Sequence, residues 1–309
     1  MPIPMESALV RWVLCAVLVC AFAPGAAAQE FGPALRGPLP VTQPTYPHWS
    51  GFYAGGDIDF GDGSVNFSNA SQEPIAYALR DTVIEQDFNP SSWPLLGNST
   101  VQSTFFGAFA GYDTQWQDVI LGGEVTYAHP NVTATAPGTP MGRTFTQAAD
   151  STGAITEYDI DANASATLHL IDYATLRGRA GWAVNNIFLP YGFAGLAIGR
   201  ATYTSASSVN WETATSAPQT VIVGTQTITI PASDPVIPCT GTETCAFYSA
   251  GNSQTGNAWL YGIDAGVGVD VAVMRNVFLR GEFEYVHFFP VKGITMDLAT
   301  ARAGVGVKF

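Results

Sequence analysis

Residues 259–273 read Trp-Leu-Tyr-Gly-Ile-Asp-Ala-Gly-Val-Gly-Val-Asp-Val-Ala-Val. Trp259, Tyr261, Ile263, Ala265, Val267, Val269, Val271 and Val273 fall on one parity, and Gly262, Asp264, Gly266, Gly268 and Asp270 on the other. A period of two places these sets on opposite faces of a β-strand. One face is wholly apolar, and the other alternates glycine with carboxylate. That is the signature of a strand whose apolar side meets lipid and whose polar side lines a barrel interior. The glycines do not form a phosphate loop, because no helical pattern follows them.

Working outward, seven more segments repeat the alternation. Phe52, Ala54, Gly56, Ile58 and Phe60 oppose Tyr53, Gly55, Asp57 and Asp59. Segments 104–114 and 119–128 place Asp113 and Glu124 on their polar faces, and 173–184 places Arg177 and Arg179 there. Segment 189–200 is so rich in Gly and Ala that its facing stays open. Segment 277–287 sets Leu279, Phe283 and Tyr285 against Arg280, Glu282 and Glu284. The last sets Ala299, Ala301, Ala303, Val305, Val307 and Phe309 against Thr300, Arg302 and Lys308.

Eight segments suffice for an antiparallel sheet that closes with both ends on one side, and closure is compulsory in lipid. Tight connections are expected near Trp116, Asn185-Asn186 and Met274-Arg275-Asn276. Long ones are expected at 62–103, 129–172 and 201–256, with a moderate one at 288–296. Short and long therefore alternate, as periplasmic turns and extracellular loops do. The expected fold class is all-β: an eight-stranded antiparallel transmembrane β-barrel with long extracellular loops and short periplasmic turns. Val221 to Pro231 alternates too, and is expected to extend the fifth and sixth strands as a hairpin above the membrane.

Composition agrees. Only 12% of the 309 residues are charged, with 32 glycines and a net charge of −13. Such acidity excludes nucleic acid as a partner, since a phosphate backbone needs a basic surface. Leu9 to Ala23 is apolar except for Arg11 and leads to the small-residue pattern Ala26-Ala27-Ala28. Trp12 to Ala23 is too short for the roughly 20 apolar residues that span a bilayer. Residues 1–28 therefore read as a signal peptide cleaved before Gln29. Residues 29–48, with Pro33, Pro38, Pro40, Pro44 and Pro47, read as a stiff periplasmic tether, and 49–309 as the barrel.

The candidate site is the polar lining: Asp57, Asp59, Asp113, Glu124, Arg177, Arg179, Asp264, Asp270, Arg280, Glu282, Glu284, Arg302 and Lys308. Buried charges must be paired or wet. The lining is thus expected to be a salt-bridged plug, with a narrow water-filled conduit as the alternative. Acid–base work by Glu282 and Glu284 is disfavoured by Arg280 beside them. Eleven of the thirteen net negative charges fall in the long loops. Divalent cations bridging those loops to anionic lipid headgroups are the expected ions there. Cys239 and Cys245 are expected to form a disulfide in an oxidising compartment. His129 and His169 flank the second loop but give no metal or haem motif, so no cofactor is expected.

Trp49-Ser50-Gly51-Phe52-Tyr53-Ala54-Gly55-Gly56 resembles the opening strand of small outer-membrane proteins of alpha-proteobacteria, the opacity-type, OmpA-like β-barrel family. Leu176-Arg177-Gly178-Arg179-Ala180-Gly181-Trp182, Gly281-Glu282-Phe283-Glu284-Tyr285 and Ala301-Arg302-Ala303-Gly304-Val305 resemble later strands of that family. Trp182 and Arg280 depart from its usual Tyr and Lys. Val305, Val307 and Phe309 look like its outer-membrane assembly signal. The resemblance implies a non-catalytic surface and envelope-integrity protein of a Gram-negative outer membrane. Its implied partners are outer-membrane lipids, lipopolysaccharide and the assembly machinery. The other readings are a small channel or porin, loop-mediated haem or host-ligand binding, and a lipid A-modifying barrel enzyme.

Overall fold

The computed structural model describes residues 48–235, 237 and 244–309. The expected signal peptide and the tether up to residue 47 lie outside these residues, as does Cys239. The described chain contains twelve strands: β1 Gly51–Asn66, β2 Asn98–Trp116, β3 Val119–Ala128, β4 Val132–Pro137, β5 Met141–Gln147, β6 Ile155–Trp182, β7 Phe188–Ser216, β8 Gln219–Val223, β9 Gln226–Ile230, β10 Thr244–Ala272, β11 Val277–Val291 and β12 Ile294–Lys308. Two short helices, α1 Gln72–Ala78 and α2 Val83–Phe88, stand between β1 and β2. No described helix is long and apolar enough to cross a membrane.

Ten strands form one sheet of antiparallel pairs. Pairing runs β3-β2-β1-β12-β11-β10-β7-β6, and β3 also pairs with β6, so the path returns on itself. The result is a barrel-like sheet in which these eight strands have neighbours on both sides. β4 and β5 attach to β6 beyond the end of β3. The alternation read from sequence is the observed facing. Asp57 and Asp59 are buried while Phe52 and Phe60 are exposed, and the same parity holds along β10, β11 and β12. On β7, whose facing the sequence left open, Leu189, Tyr191, Phe193 and Ala197 point inward.

Two aromatic levels ring the outer wall. Phe52, Tyr112, Trp116, Trp182 and Phe188 are exposed near the tight turns. Phe60, Phe106, Tyr127, Trp259 and Tyr285 are exposed further along. Trp259 to Val271 spans about 40 Å along β10 at about 3.3 Å per residue. Inclined by about 40°, as barrel strands are, that is about 30 Å across, the thickness of a bilayer's hydrocarbon.

The far end of the sheet departs from expectation. β6, β7 and β10 run for 28, 29 and 29 residues, so much of 129–172 and 201–256 is strand rather than loop. The cause is alternation with small residues. Ala162, Ala164 and Ala166 are buried on β6 while Asn163 and Ser165 are exposed. At Leu170/Asp172 a bulge shifts the register with β7 and changes the inward parity from even to odd. The connection expected at 288–296 is a tight turn at Lys292-Gly293, both with positive φ (52° and 75°). A side chain at Gly293 would also meet the Asn69 carbonyl oxygen at 2.3 Å, so glycine is needed there twice over. The Val221–Pro231 region does form a hairpin, but β8 and β9 make a sheet of their own instead of lengthening the fifth and sixth strands.

The segment between β1 and β2, expected as loop, folds into the mouth of the sheet. Phe67, Ile75, Leu79, Ile84, Trp93 and Leu95 are buried against the inner faces of the long strands. The Ser205 hydroxyl donates to the Ala70 carbonyl at 2.8 Å and the Thr139 N–H to the Leu95 carbonyl at 3.0 Å. At the turn end Trp49, Tyr53, Phe109, Tyr191, Phe193 and Phe278 form a second, aromatic cluster.

Candidate functional site

Between those two apolar clusters lies a layer of charge. Every inward carboxylate and base named from the sequence is buried. Glu124 on β3 is the hub. It pairs with Arg177, with Arg280 at 2.7 Å and with Arg179 at 3.3 Å, and it accepts the Tyr53 hydroxyl at 2.8 Å. Arg177 also reaches Glu282 at 2.7 Å and Glu284 at 3.2 Å. Asp270 binds Arg179 at 2.7 Å and Arg280 at 2.9 Å. Arg302 pairs with Glu284 and, at 3.2 Å, with Asp59, while Asp113 stands 3.6 Å from Arg179. Seven of the eight strands on the returning path thus contribute to one connected set.

Three of the named residues stand outside it. Lys308 donates to the His48 carbonyl and lies 5.0 Å from the centre of the Trp49 ring, at the turn end. Among the described residues Asp57 and Asp264 have no ion-pair partner, and neither Asp264 oxygen has a hydrogen-bond partner.

Aromatic rings complete the layer. Arg177 stacks over Phe193, Arg179 over Tyr191 and Arg280 over Phe109, each 3.9 Å from the ring centre. A desolvated cation over a ring gains about 2 kcal/mol. The Tyr191 hydroxyl donates to Glu282 at 2.5 Å and the Tyr173 hydroxyl to Glu284 at 3.2 Å. A Cβ at Gly266 would lie 2.4 Å from the Phe193 ring, and one at Gly268 would lie 2.6 Å from that of Tyr191. The inward glycines of β10 therefore make room for the rings that support the arginines. Sequence reading missed these tyrosines and phenylalanines as partners, although Tyr53 and Phe109 share the parity of the charged residues.

Other candidates remain apart. Cys245 is disulfide-bonded. His169 Nδ1 lies 2.8 Å from the Thr133 hydroxyl and His287 Nδ1 2.6 Å from Asp297. Among the described residues no three His, Cys, Asp or Glu gather as metal ligands. Val305, Val307 and Phe309 are exposed on the outer wall, and the Phe309 N–H donates to the Phe52 carbonyl at 2.8 Å. At the loop end Lys292 donates to Glu73 at 2.9 Å, tying the β11–β12 turn to α1, and that carboxylate holds its ammonium above the usual range. In the β5–β6 loop the Thr152 hydroxyl and the Ala154 and Thr152 N–H groups hold the Asp150 carboxyl below its usual range.

The charged layer fastens strands to one another across the interior.

Residues 13–309 match the family described as "Outer membrane protein beta-barrel domain". Among solved structures, the attachment invasion locus protein of Yersinia pestis is similar at 11% identity, covering 84% of this chain and 99% of that one, with a TM-score of 0.33. Neisserial surface protein A is similar at 16% identity, covering 84% and 98%, with a TM-score of 0.33. The N-terminal β-barrel domain of Pseudomonas aeruginosa OprF is similar at 12% identity, covering 82% and 97%, with a TM-score of 0.30. No curated protein matches the chain closely enough to count as a relative.

Proposed function

The chain belongs to the outer membrane protein beta-barrel domain family, and from that premise we propose that it is a non-conducting, non-catalytic surface protein that reinforces the outer membrane. The membrane wall in this reading is the eight strands of the returning path. The tight turns at Gln117, Asn185-Asn186 and Met274-Asn276 face the periplasm, and the long strands rise outside. The two aromatic levels about 30 Å apart support this, as does a wall between them that is apolar or small.

One observation carries the functional reading: Glu124 joins three arginines from two other strands in the middle of the interior. Eight strands leave an interior just wide enough for side chains. Here that interior is filled by a salt-bridged layer between an aromatic floor and an apolar, helix-bearing roof. Neither a continuous water column nor a substrate cleft fits such a filling.

The test is single-channel recording in planar bilayers. Wild-type protein is expected to give no regular current, and joint removal of the Glu124, Glu282, Arg177 and Arg280 side chains is expected to admit water and small ions. A steady conductance from the untouched protein would replace this reading with that of a small channel.

Closer kinship with the opacity-type surface proteins of alpha-proteobacteria is part of the same proposal, resting on the 49–56 opening and the Arg177-Gly178-Arg179 strand. So are contact with lipopolysaccharide, assembly through Val305, Val307 and Phe309, and divalent cations at the acidic outer segments. The mature protein is expected to begin at Gln29 with Cys239 joined to Cys245. N-terminal sequencing and intact mass of purified protein check both, and a retained leader or two free thiols would count against them.

A further inference from the structure

Val221 to Pro231 alternates in the sequence, and the fold leaves it by itself. β8 and β9 pair as Thr220↔Thr229, Val221↔Ile228, Ile222↔Thr227 and Val223↔Gln226. The turn between them is Gly224-Thr225, with Gly224 at φ 70°. Among the described residues no other strand joins this pair. All ten strand residues are exposed, Ile222 at 73% and Val223 at 60%. Val221, Val223, Ile228 and Ile230 share one face, and Thr220, Ile222, Thr227 and Thr229 the other. Pro218 and Pro231 bracket the hairpin. Proline offers a ladder no N–H, so the strands do not run on into the large sheet.

A hairpin of two strands is marginal in water. Independent stability takes three or more strands with a hydrophobic face. The outer edge of β9 presents N–H and C=O groups that can pair with another chain, and natural edges are usually blunted against this by charge. Here no charged residue lies between Glu212 and Asp234, in a chain whose net charge is −13.

The sequence of β9, Gln226-Thr227-Ile228-Thr229-Ile230, fits itself. Set antiparallel to a copy about a twofold at Ile228, it places Ile228 opposite Ile228 and Thr227 opposite Thr229. Such cross-strand pairs of β-branched residues are the unit of sheet stabilisation. A twofold contact is self-complementary by construction. The joined sheet has four strands, with Val221, Val223, Ile228 and Ile230 of each copy on one continuous face. The second copy thus supplies what the hairpin lacks.

Charge decides where that copy stands. The hairpin is spliced between the far ends of β7 and β10, where Thr215 pairs with Thr244. Just below, Asp159 on β6 lies opposite Glu212 on β7, and Asp161 follows two residues along β6. All three are exposed or half-buried. Two copies upright in one membrane would bring these acidic walls side by side, at the cost of like charges in contact. Copies rooted in facing membranes meet at their tips alone.

Resting on the outer-membrane reading above, we propose that β9 is a self-recognition edge: the hairpins of two copies in facing outer membranes join into one four-stranded sheet, and the protein clasps cell to cell. Five residues a side make far less than a standard interface, so each pair is weak and the clasp works through many copies at once.

The experiment reconstitutes the full chain by detergent removal, which leaves copies facing both ways, into phospholipid vesicles of two lipid-dye colours. Energy transfer between the colours reports clustering. Wild-type vesicles are expected to cluster with each other and not with empty vesicles. Ile228→Lys sets two lysines opposite each other and should lower clustering several-fold, as should Ile228→Glu with itself. Mixing Ile228→Lys vesicles with Ile228→Glu vesicles should restore it. Dispersed wild-type vesicles overturn the proposal. So does equal clustering with empty vesicles, unchanged clustering in variants that keep the folded protein's gel mobility, or a mixture that fails to recover. Should the variants not fold, the comparison of wild-type with empty partners decides alone. Dispersed vesicles in which cross-linking joins two copies would place the contact within one membrane and overturn the facing arrangement. The same vesicles report conductance. A steady current overturns the structural reading whatever the clustering, and silent, dispersed vesicles overturn only the clasp.

Discussion

Glu124→Ala is expected to destabilise the folded protein by about 3–5 kcal/mol, the cost of breaking a buried pair by removing one partner. Glu124 is 1% exposed and pairs with Arg177, Arg179 and Arg280. Its loss leaves three buried guanidinium groups short of a counter-charge. Asp270, Glu282 and Glu284 remain to hold them, which keeps the cost from growing in proportion to the number of partners. Asp264→Asn is the matched control. Asp264 is 2% exposed, but neither of its oxygens is hydrogen-bonded, so replacing its charge by an amide relieves rather than strands and should cost nothing measurable. Urea-dependent folding into lipid vesicles measures both. Equal losses for the two variants would show that the arginines do not depend on Glu124.

The second large effect depends on depth along a single strand. Ala265→Arg places a cation on the lipid-facing wall of β10, midway between Trp259 and Val271, and should cost about 2–4 kcal/mol there. Ser253→Arg lies on the same face of the same strand, beyond Trp259, where a surface substitution stays within about 0.5 kcal/mol. Both residues have β7 as a backbone neighbour, and the membrane position has β11 as well. The comparison therefore holds strand, face and one neighbouring strand constant while the surroundings change. The same urea titration reads it. A Ser253→Arg variant as damaged as Ala265→Arg would place the membrane higher on the protein than the aromatic residues do.

Facing was legible in the sequence wherever large apolar residues alternate with charge. Asp57, Glu124, Arg177, Asp270 and Glu282 could be placed inside without coordinates because an arginine or carboxylate facing lipid is so costly. Partner choice was not legible. Parity assigns Arg177 to the interior, but whether it meets Glu124, Glu282 or Glu284 depends on strand register and stagger, which no local pattern encodes. Asp57 and Asp264 carry the same parity signal as Glu124 and join no pair. The ends of the long strands were hidden for another reason. Ala162, Ala164 and Ala166 alternate with Asn163 and Ser165, a contrast too weak to separate strand from loop by apolar periodicity. The segment that roofs the interior was invisible because its helices are 7 and 6 residues long. Ile75, Leu79 and Ile84 become a core only against strands from elsewhere in the chain.

β7 and β10 stay in register from Phe188 and Val271 through to Thr215 and Thr244 without a shift. The membrane portion and the projecting portion are therefore one ladder, with no hinge between them along that pair. A pull on the tip, from a neighbouring cell or from flowing medium, loads many of its rungs together in shear instead of opening them one after another. The projection behaves as a mast stepped into the hull: sideways force on it is felt by the charged layer at its foot. The cross-bracing that fills the interior is placed where a lever of that length would otherwise pry the strands apart.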